Sequence, residues 1–360
     1  MNQRINYLDS VRGLAAFSVL VYHVIMAHWG WNIGGKITIF FFNGGDAVSL
    51  FFVLSGLVLS LRYMNPGQPL SLNYANFVTA RIFRLFPAFL VMLALYYGYV
   101  YWHDDYFFWN WATNKYFWLE EALLVRGRSV LLLPDWTLGV EVAISLLVPF
   151  FILIVRFNQK WLLYLMLVSF FVGKTYFNIN IFHFCLGVWL AYHFEDIHKF
   201  DFEKSLYYRF RYIIYLLIFL LYNIRHVVEF IPLNPKLQYI LNLIGLDWFH
   251  VSGVAAGAIL ALCINRVKFQ KILNWQPFLF LGKISYGIYL THWLFINYLL
   301  MPRWDYFFKI CGTENKMLVL FLFITISGSV LLSTLLYYFV EKPFINFGRL
   351  LTARTSFIKN

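Results

Sequence analysis

Apolar residues run along this chain in long stretches separated by short polar segments, and the lengths of those stretches set the first expectation. A helix that crosses a bilayer needs about 20 mostly apolar residues, fewer when it is shielded inside a bundle. By that measure ten helical spans are predicted, at 12–30, 46–63, 83–102, 135–156, 161–176, 178–194, 211–228, 246–265, 279–300 and 317–340. The fifth and sixth are short, as tilted or bundle-buried helices are. The stretch 230–246, which holds Pro232 and Pro235, reads equally as a loop or as part of a span. The first span contains Arg12 and His23, lacks a small-residue cleavage site and leads straight into further spans. It is expected to persist as a helix, not to be removed as a signal peptide.

Composition turns this pattern into a membrane reading. Hydrophobic residues make up 61% of the chain and charged residues 13%, with a mean hydropathy of +0.66. Soluble domains carry about a quarter charged residues, and a water-soluble fold of this size could not hide so much apolar surface. The predicted fold class is an all-α polytopic membrane protein. Its 22% aromatic content suits rings at the headgroup level and between packed helices.

The net charge of +12 would suggest nucleic acid in a soluble protein. Here it follows from basic residues collecting in cytosolic loops, so no nucleic-acid partner is expected. With the N-terminus inside, most of the 29 Lys and Arg, including Arg62, Arg84, Arg156, Arg266 and Lys342, face the cytosol, which puts both termini there. Cys185, Cys263 and Cys311 are scattered without metal-ligand spacing, so neither a metal site nor a disulfide framework is expected. The longest hydrophilic outer segment, about 103–134, is rich in Trp, Tyr and Phe and suits shelter for a substrate or a place on the membrane surface. No fixed-period repeat or appended soluble domain is seen. Residues 1–345 read as one membrane domain and 346–360 as a short basic cytosolic tail.

Ionisable residues inside spans are costly and mark a site or a pathway by default. Arg12 and His23 are 11 residues apart, about 20° past three full helical turns. They share one helix face about 16 Å apart along the axis, Arg12 near the cytosolic surface and His23 near mid-membrane. A histidine takes and returns a proton near neutral pH; the plainer alternative is an imidazole satisfied by a neighbouring helix. Asp46 opens the second span after Gly44-Gly45 and reads as a helix cap or a site residue. Arg81 and Arg84 stand one turn apart at the cytosolic start of the third span, as a guanidinium pair for phosphate oxygens or as ordinary anchors. Glu141 lies about one and a half turns into the fourth span, after Trp136-Thr137, and should be protonated or paired. Ser285, Tyr289 and His292 fall at i, i+4 and i+7, a polar stripe on the ninth span. Glu341-Lys342-Pro343 reads as the stop of the last helix.

Together these segments resemble one family, the bacterial acyltransferase-3 superfamily of integral membrane O-acyltransferases. The matching pieces are Arg12 and His23 with ten residues between; Gly45-Asp46 leading into Phe51-Phe52-Val53-Leu54-Ser55-Gly56; Arg81-x-x-Arg84-Leu85-x-Pro87; Trp136-Thr137-Leu138-x-x-Glu141; Ser285-Tyr286-x-x-Tyr289-x-x-His292; and Glu341-Lys342-Pro343. Thr137 stands where a serine is common, Ala47-Val48 lie inside a usually apolar stretch, and no C-terminal hydrolase-like domain of the kind some members carry is read.

The resemblance implies transfer of an acyl group, usually acetyl, from cytosolic acyl-CoA to a sugar hydroxyl of a glycan or lipid-linked acceptor such as an O-antigen or exopolysaccharide. It implies a multi-pass protein of the bacterial cytoplasmic membrane, in contact with membrane lipid, and it admits a homo-oligomer. On this reading Arg81 and Arg84, with Arg12, hold the coenzyme phosphates. His23 either deprotonates the acceptor or takes the acyl group itself, with Glu141 or Asp9 orienting its ring. Asp46, Trp136, Ser285, Tyr289 and His292 line the acceptor route. Two rivals remain: the same chemistry on a lipid, a peptidoglycan sugar or a secreted metabolite, and, from another class, a transporter or flippase using its buried charges as a relay. The transporter predicts solute movement without acyl-CoA consumption, and the inverted repeat common in transporters is not found.

Overall fold

Backbone N–H and C=O groups in lipid must satisfy one another, which favours helices wherever the chain is long and apolar. A computed structural model describes residues 5–29, 38–64, 70, 72–103, 117–124, 132, 135–171, 178–231, 234–243 and 247–357. Among them the regular structure is helical, with no β-strand. The segment 103–134, expected from sequence to lie outside, is described at 103, 117–124 and 132; the rest of it, and Pro232, lie outside the described residues.

In chain order the helices are α1 (Asn6–Trp29), α2 (Gly44–Leu61), α3 (Tyr74–His103), α4 (Phe117–Ala122), α5 (Asp135–Ser145) and α6 (Val148–Phe157). Next come α7 (Gln159–Phe171), α8 (Asn178–Tyr192), α9 (Phe194–Lys199), α10 (Arg211–Tyr222), α11 (Ile224–Phe230) and α12 (Pro235–Leu243). The remainder are α13 (Trp248–Asn265), α14 (Val267–Leu273), α15 (Gln276–Trp293), α16 (Trp304–Cys311), α17 (Glu314–Leu336) and α18 (Lys342–Phe357). Among the described residues five stretches are long and apolar enough to cross a membrane: Asn6–His28, Thr38–Leu61, Tyr74–His103, Trp248–Asn265 and Glu314–Ala353. A sixth arises if Trp136–Ser145 and Val148–Phe157, bent by 43° at their break, count as one.

These are the first, second, third, fourth, eighth and tenth predicted spans. The fifth and sixth appear as shorter apolar helices, α7 and α8. The seventh is divided at Asn223 into α10 and α11, and the ninth is α15 continued by the π-helical segment Leu294–Leu300.

The predicted stop at Glu341-Lys342-Pro343 is a bend in pairing, not an end. A π-helical turn, Tyr337–Glu341, leads directly into α18, which runs on to Phe357. Pro343 costs little where the hydrogen-bond ladder is already rearranged by a π turn.

The chain divides into two compact units, each taken by itself. The first comprises Met1–Ser18, Lys36–Leu72 and Ala143–Gly282. Its centre is the crossing of α2 and α8, where small residues let backbones touch. A Cβ on Gly56 would overlap the Phe184 carbonyl, and one on Gly187 the Val53 carbonyl. A second such crossing joins Gly13 and Gly282, each lying against the other helix's backbone. α13 lies on α2 through Ser49 and Ser252, whose hydroxyls are 3.0 Å apart.

Asn43 opens α2 with a reciprocal cap: its Oδ1 accepts from the Asp46 N–H at 3.0 Å, and its Nδ2 donates to Asp46 Oδ2 at 2.7 Å. The same Nδ2 reaches Asn223 Oδ1 at 3.0 Å. The polar side chain that interrupts the seventh span is thereby satisfied inside the unit.

The second unit comprises Val19–Gly35, Asn73–Val142 and Lys283–Asn360. Leu85, Phe89, Met92, Tyr96, Tyr298 and Leu336 form its buried core. Tyr96 donates to the Leu290 carbonyl at 3.1 Å and Tyr99 to the Tyr298 carbonyl at 2.6 Å, so long polar side chains from α3 satisfy main-chain carbonyls on either side of His292. Thr291 and Ser333 pair at 3.1 Å beside Gly287, which lies against Ser333, pressing α15 onto α17.

The α2–α8 crossing gives a stability prediction. Gly187→Leu is expected to destabilise the detergent-solubilised protein by about 3 kcal/mol, the upper end for overpacking, read as a lowered thermal midpoint. Gly98→Ala, an exposed mid-helix position where a Cβ meets nothing within 4 Å, should not lower the midpoint.

Candidate active site

The second unit gathers most of the chemistry-bearing side chains along α15. Tyr286, Tyr289 and His292 recur three residues apart, so they wind slowly along one side of the helix and span about 9 Å of its length. The helix is rigid here because its other side is pressed onto α17. Each of the three meets polar side chains from other helices.

At the far end His292 is fully buried. Its Nδ1 lies 3.0 Å from the Ile288 carbonyl oxygen and its Nε2 lies 3.1 Å from Nδ1 of His23 on α1. The two imidazoles stack with centroids 5.1 Å apart, and Trp293 and Tyr22 stand edge-on to His23 at 5.6 and 5.3 Å. Farther along both segments His28 meets Trp304 at 5.0 Å, so within this unit they ascend in the same direction. His23 is half-buried, whereas His292 has no exposed surface.

One turn back, the Tyr289 hydroxyl forms a short hydrogen bond with Thr137 on α5. At the near end Arg81 on α3 donates to Glu141 on α5 at 3.0 Å. Arg81 is buried, Glu141 about a quarter exposed. Tyr286 donates to the Leu85 carbonyl at 2.8 Å and lies within electrostatic reach of Arg81, Arg84, Glu141 and Glu341. Glu341, buried at the π turn, faces the opposite charge of exposed Arg84. Both π segments of the chain thus adjoin this site, a placement typical of such local distortions.

The predicted site residues therefore separate into groups. His23, Tyr289 and His292 come together with Thr137, and Arg81, Arg84 and Glu141 come together with Glu341. Glu141 forms its ion pair with Arg81, and the group bonded to His23 Nδ1 is His292; neither is the carboxylate–imidazole contact considered from sequence. Ser285 is buried on α15 and Trp136 half-buried on α5. Asp9 and Arg12 belong to the first unit, where they form an i,i+3 ion pair at 3.0 Å. Asp46, also there, is fully buried in the cap of α2, with Arg225 3.7 Å from its Oδ1.

Sequence reasoning gave no role to Tyr286 or to Trp293. It also passed over Glu121, a buried carboxylate that accepts from Tyr97 at 3.1 Å. A carboxylate in an otherwise aromatic segment was the available signal for Glu121; Tyr286 and Trp293 differ from ordinary core aromatics only in what they meet.

The arrangement offers a half-buried imidazole backed by a second imidazole, a hydroxyl pair beside it, and an exposed arginine at the far end of the same helix face. That is equipment for moving a proton next to an anion-binding position. Residues 5–338 match the family model described as an acyltransferase domain, of the acyltransferase-3 type. The chain belongs to the acyltransferase-3 family. No curated protein and no solved structure matches it significantly. As an acyltransferase-3 chain it is a membrane acyltransferase.

The Arg81–Glu141 pair in this acyltransferase-3 chain should behave as one unit. Arg81→Met or Glu141→Leu alone takes the ion-pair partner away from the other residue, at an expected cost of about 2 kcal/mol after allowance for solvent access to Glu141. The double variant should recover most of it. Unfolding midpoints of the four proteins measure the coupling, expected at about 1–3 kcal/mol; additive single effects would contradict the pairing.

Proposed function

We propose that this protein transfers an acyl group, in the first instance acetyl, from cytosolic acyl-CoA to a sugar hydroxyl of a polysaccharide outside the cytosol, such as an O-antigen or exopolysaccharide, in the bacterial cytoplasmic membrane. Ten spans with both termini in the cytosol fit this role, since coenzyme and acceptor then meet the protein from opposite sides. The observation that supports the reading best is the His23–His292 pair, a proton-accepting device held in an apolar surrounding. Membership of an acyltransferase family supplies the reaction type.

In the proposed reaction Arg84 holds the coenzyme phosphates. It is exposed on α3, whereas Arg81 is buried. The thioester lies beside His23. The acceptor hydroxyl gives its proton to His23 and its oxygen forms a bond to the thioester carbonyl. The C–S bond then breaks, and the departing thiolate takes the proton from His23. The Thr137–Tyr289 hydroxyl pair supplies hydrogen bonds along the acceptor route.

Two measurements test this. Mass spectrometry of surface glycans from cells with wild-type protein, with His23→Ala at matched expression and without the protein should find one acetyl per modified sugar in the wild type alone; unchanged acetylation with His23→Ala would remove His23 from the chemistry. In acetyl-CoA binding, Arg84→Ala should weaken affinity at least about tenfold, the worth of one charge-assisted hydrogen bond. Identical affinity would make Arg84 an anchor at the membrane surface.

A further inference from the structure

Building on the acyl-transfer reading, we infer that His292 is a positioning residue: it holds the proton of His23 on Nδ1 and so makes Nε2 of His23 the nitrogen that takes the acceptor's proton. The argument starts from a carbonyl. Ile288 O can only accept, so the ring nitrogen 3.0 Å from it, Nδ1 of His292, carries a hydrogen. His292 has no exposed surface, and it meets the main chain at Ile288 and Tyr289 and the imidazole of His23, with no carboxylate among these, so it is neutral. A neutral imidazole has one N–H, which leaves the lone pair on His292 Nε2. The hydrogen in the 3.1 Å contact to His23 therefore belongs to His23 Nδ1, and the Val19 carbonyl one turn before His23 also takes a hydrogen bond from this ring. Neutral His23 in turn keeps its lone pair on Nε2.

This order is enforced by the helix. The Ile288 carbonyl lies one turn before His292 on α15, and that helix is fixed against α17 through Gly287, Thr291 and Ser333. His292 thus plays towards His23 the part that a second-layer group plays behind a general base, selecting tautomer and ring orientation. Its effect grows as the reaction proceeds. When the acceptor proton arrives at Nε2, His23 becomes an imidazolium whose Nδ1–H is already bonded to a neutral acceptor. Such a charge-assisted bond is roughly twice as strong as the neutral one. His292 stabilises the charged state more than the resting state, which raises kcat in preference to tightening coenzyme binding.

The test compares two replacements in protein reconstituted into vesicles with acetyl-CoA and acceptor glycan. His292→Phe keeps a ring without an acceptor; His292→Gln offers an amide oxygen in place of Nε2. His292→Phe is expected to lower kcat about 100-fold, the scale of losing a second-layer partner, with KM for acetyl-CoA within about twofold. His292→Gln should restore kcat to within about tenfold of wild type. Ring ¹⁵N spectra of histidine-labelled protein, with His23 assigned by its loss in His23→Ala, should show a protonated Nδ1 and unprotonated Nε2 in the wild type, and a tautomer mixture in His292→Phe. Full kcat in His292→Phe, an unprotonated Nδ1 in the wild type, or equal loss in both replacements with an unchanged His23 spectrum would each overturn the inference. His23→Ala separates this from the parent reading. If it is inactive while His292→Phe is fully active, only the positioning role fails; if it is fully active, the acyl-transfer reading fails with it.

Discussion

A polar group carried into the interior of an apolar helix bundle has no water to fall back on, so it must find a partner on another helix or distort its own. In this chain that requirement organises each unit. Asp46 is held by Asn43, which also satisfies the asparagine that breaks the seventh span. Arg81 is neutralised by Glu141, and Tyr96, Tyr99 and Tyr286 each donate to a main-chain carbonyl of another segment. The His23–His292 contact is the member of this set that joins two titratable rings directly. Packing by glycine brings backbones close enough for such contacts, as at Gly287 against Ser333.

The same requirement explains why one helix face can hold two kinds of chemistry. Charges lie at one end of the α15 stripe, around Tyr286, while the imidazoles lie about 9 Å farther along. Between them stand only the hydroxyls of Tyr289 and Thr137 among the contacts drawn above. A coenzyme anchored by its phosphates at one end would present its thioester near the other. The π segments after Trp293 and before Lys342 place distortions at both ends of this line, where side chains are re-aimed without ending the helix.

Much of this was legible before any coordinates. The composition demanded a bilayer, and the long apolar runs mark the five membrane-length helices. The i, i+4, i+7 stripe of Ser285, Tyr289 and His292 sits on one helix as its spacing requires, and the order of short motifs led to the acyltransferase-3 family. What stayed hidden was pairing. His23 and His292 are 269 positions apart, and no local pattern says that one imidazole answers another across that distance. The carboxylates offered as orienting groups had partners of their own in Arg12 and Arg81, because a guanidinium near a carboxylate in an apolar medium claims it first. The α5–α6 bend was hidden for a different reason: hydropathy is continuous across it, whereas the polar run Asn223-Ile224-Arg225-His226 did mark the break in the seventh span. At Pro343 the rule that proline stops a helix lost to a π turn that had already absorbed the missing bond.

In the proposed function this apolar scaffold carries out acyl transfer at the His23–His292 pair, in which His292 is buried and His23 half-buried. The most direct measurement follows free thiol release and label transfer together, with the purified protein in vesicles supplied with radiolabelled acetyl-CoA on one side and acceptor glycan on the other. The account predicts thiol and glycan-bound label appearing in equal amounts, both lost when His23 is replaced by Ala. Movement of the glycan or another solute across the vesicle with no thiol released would contradict it and mark the chain as a transporter.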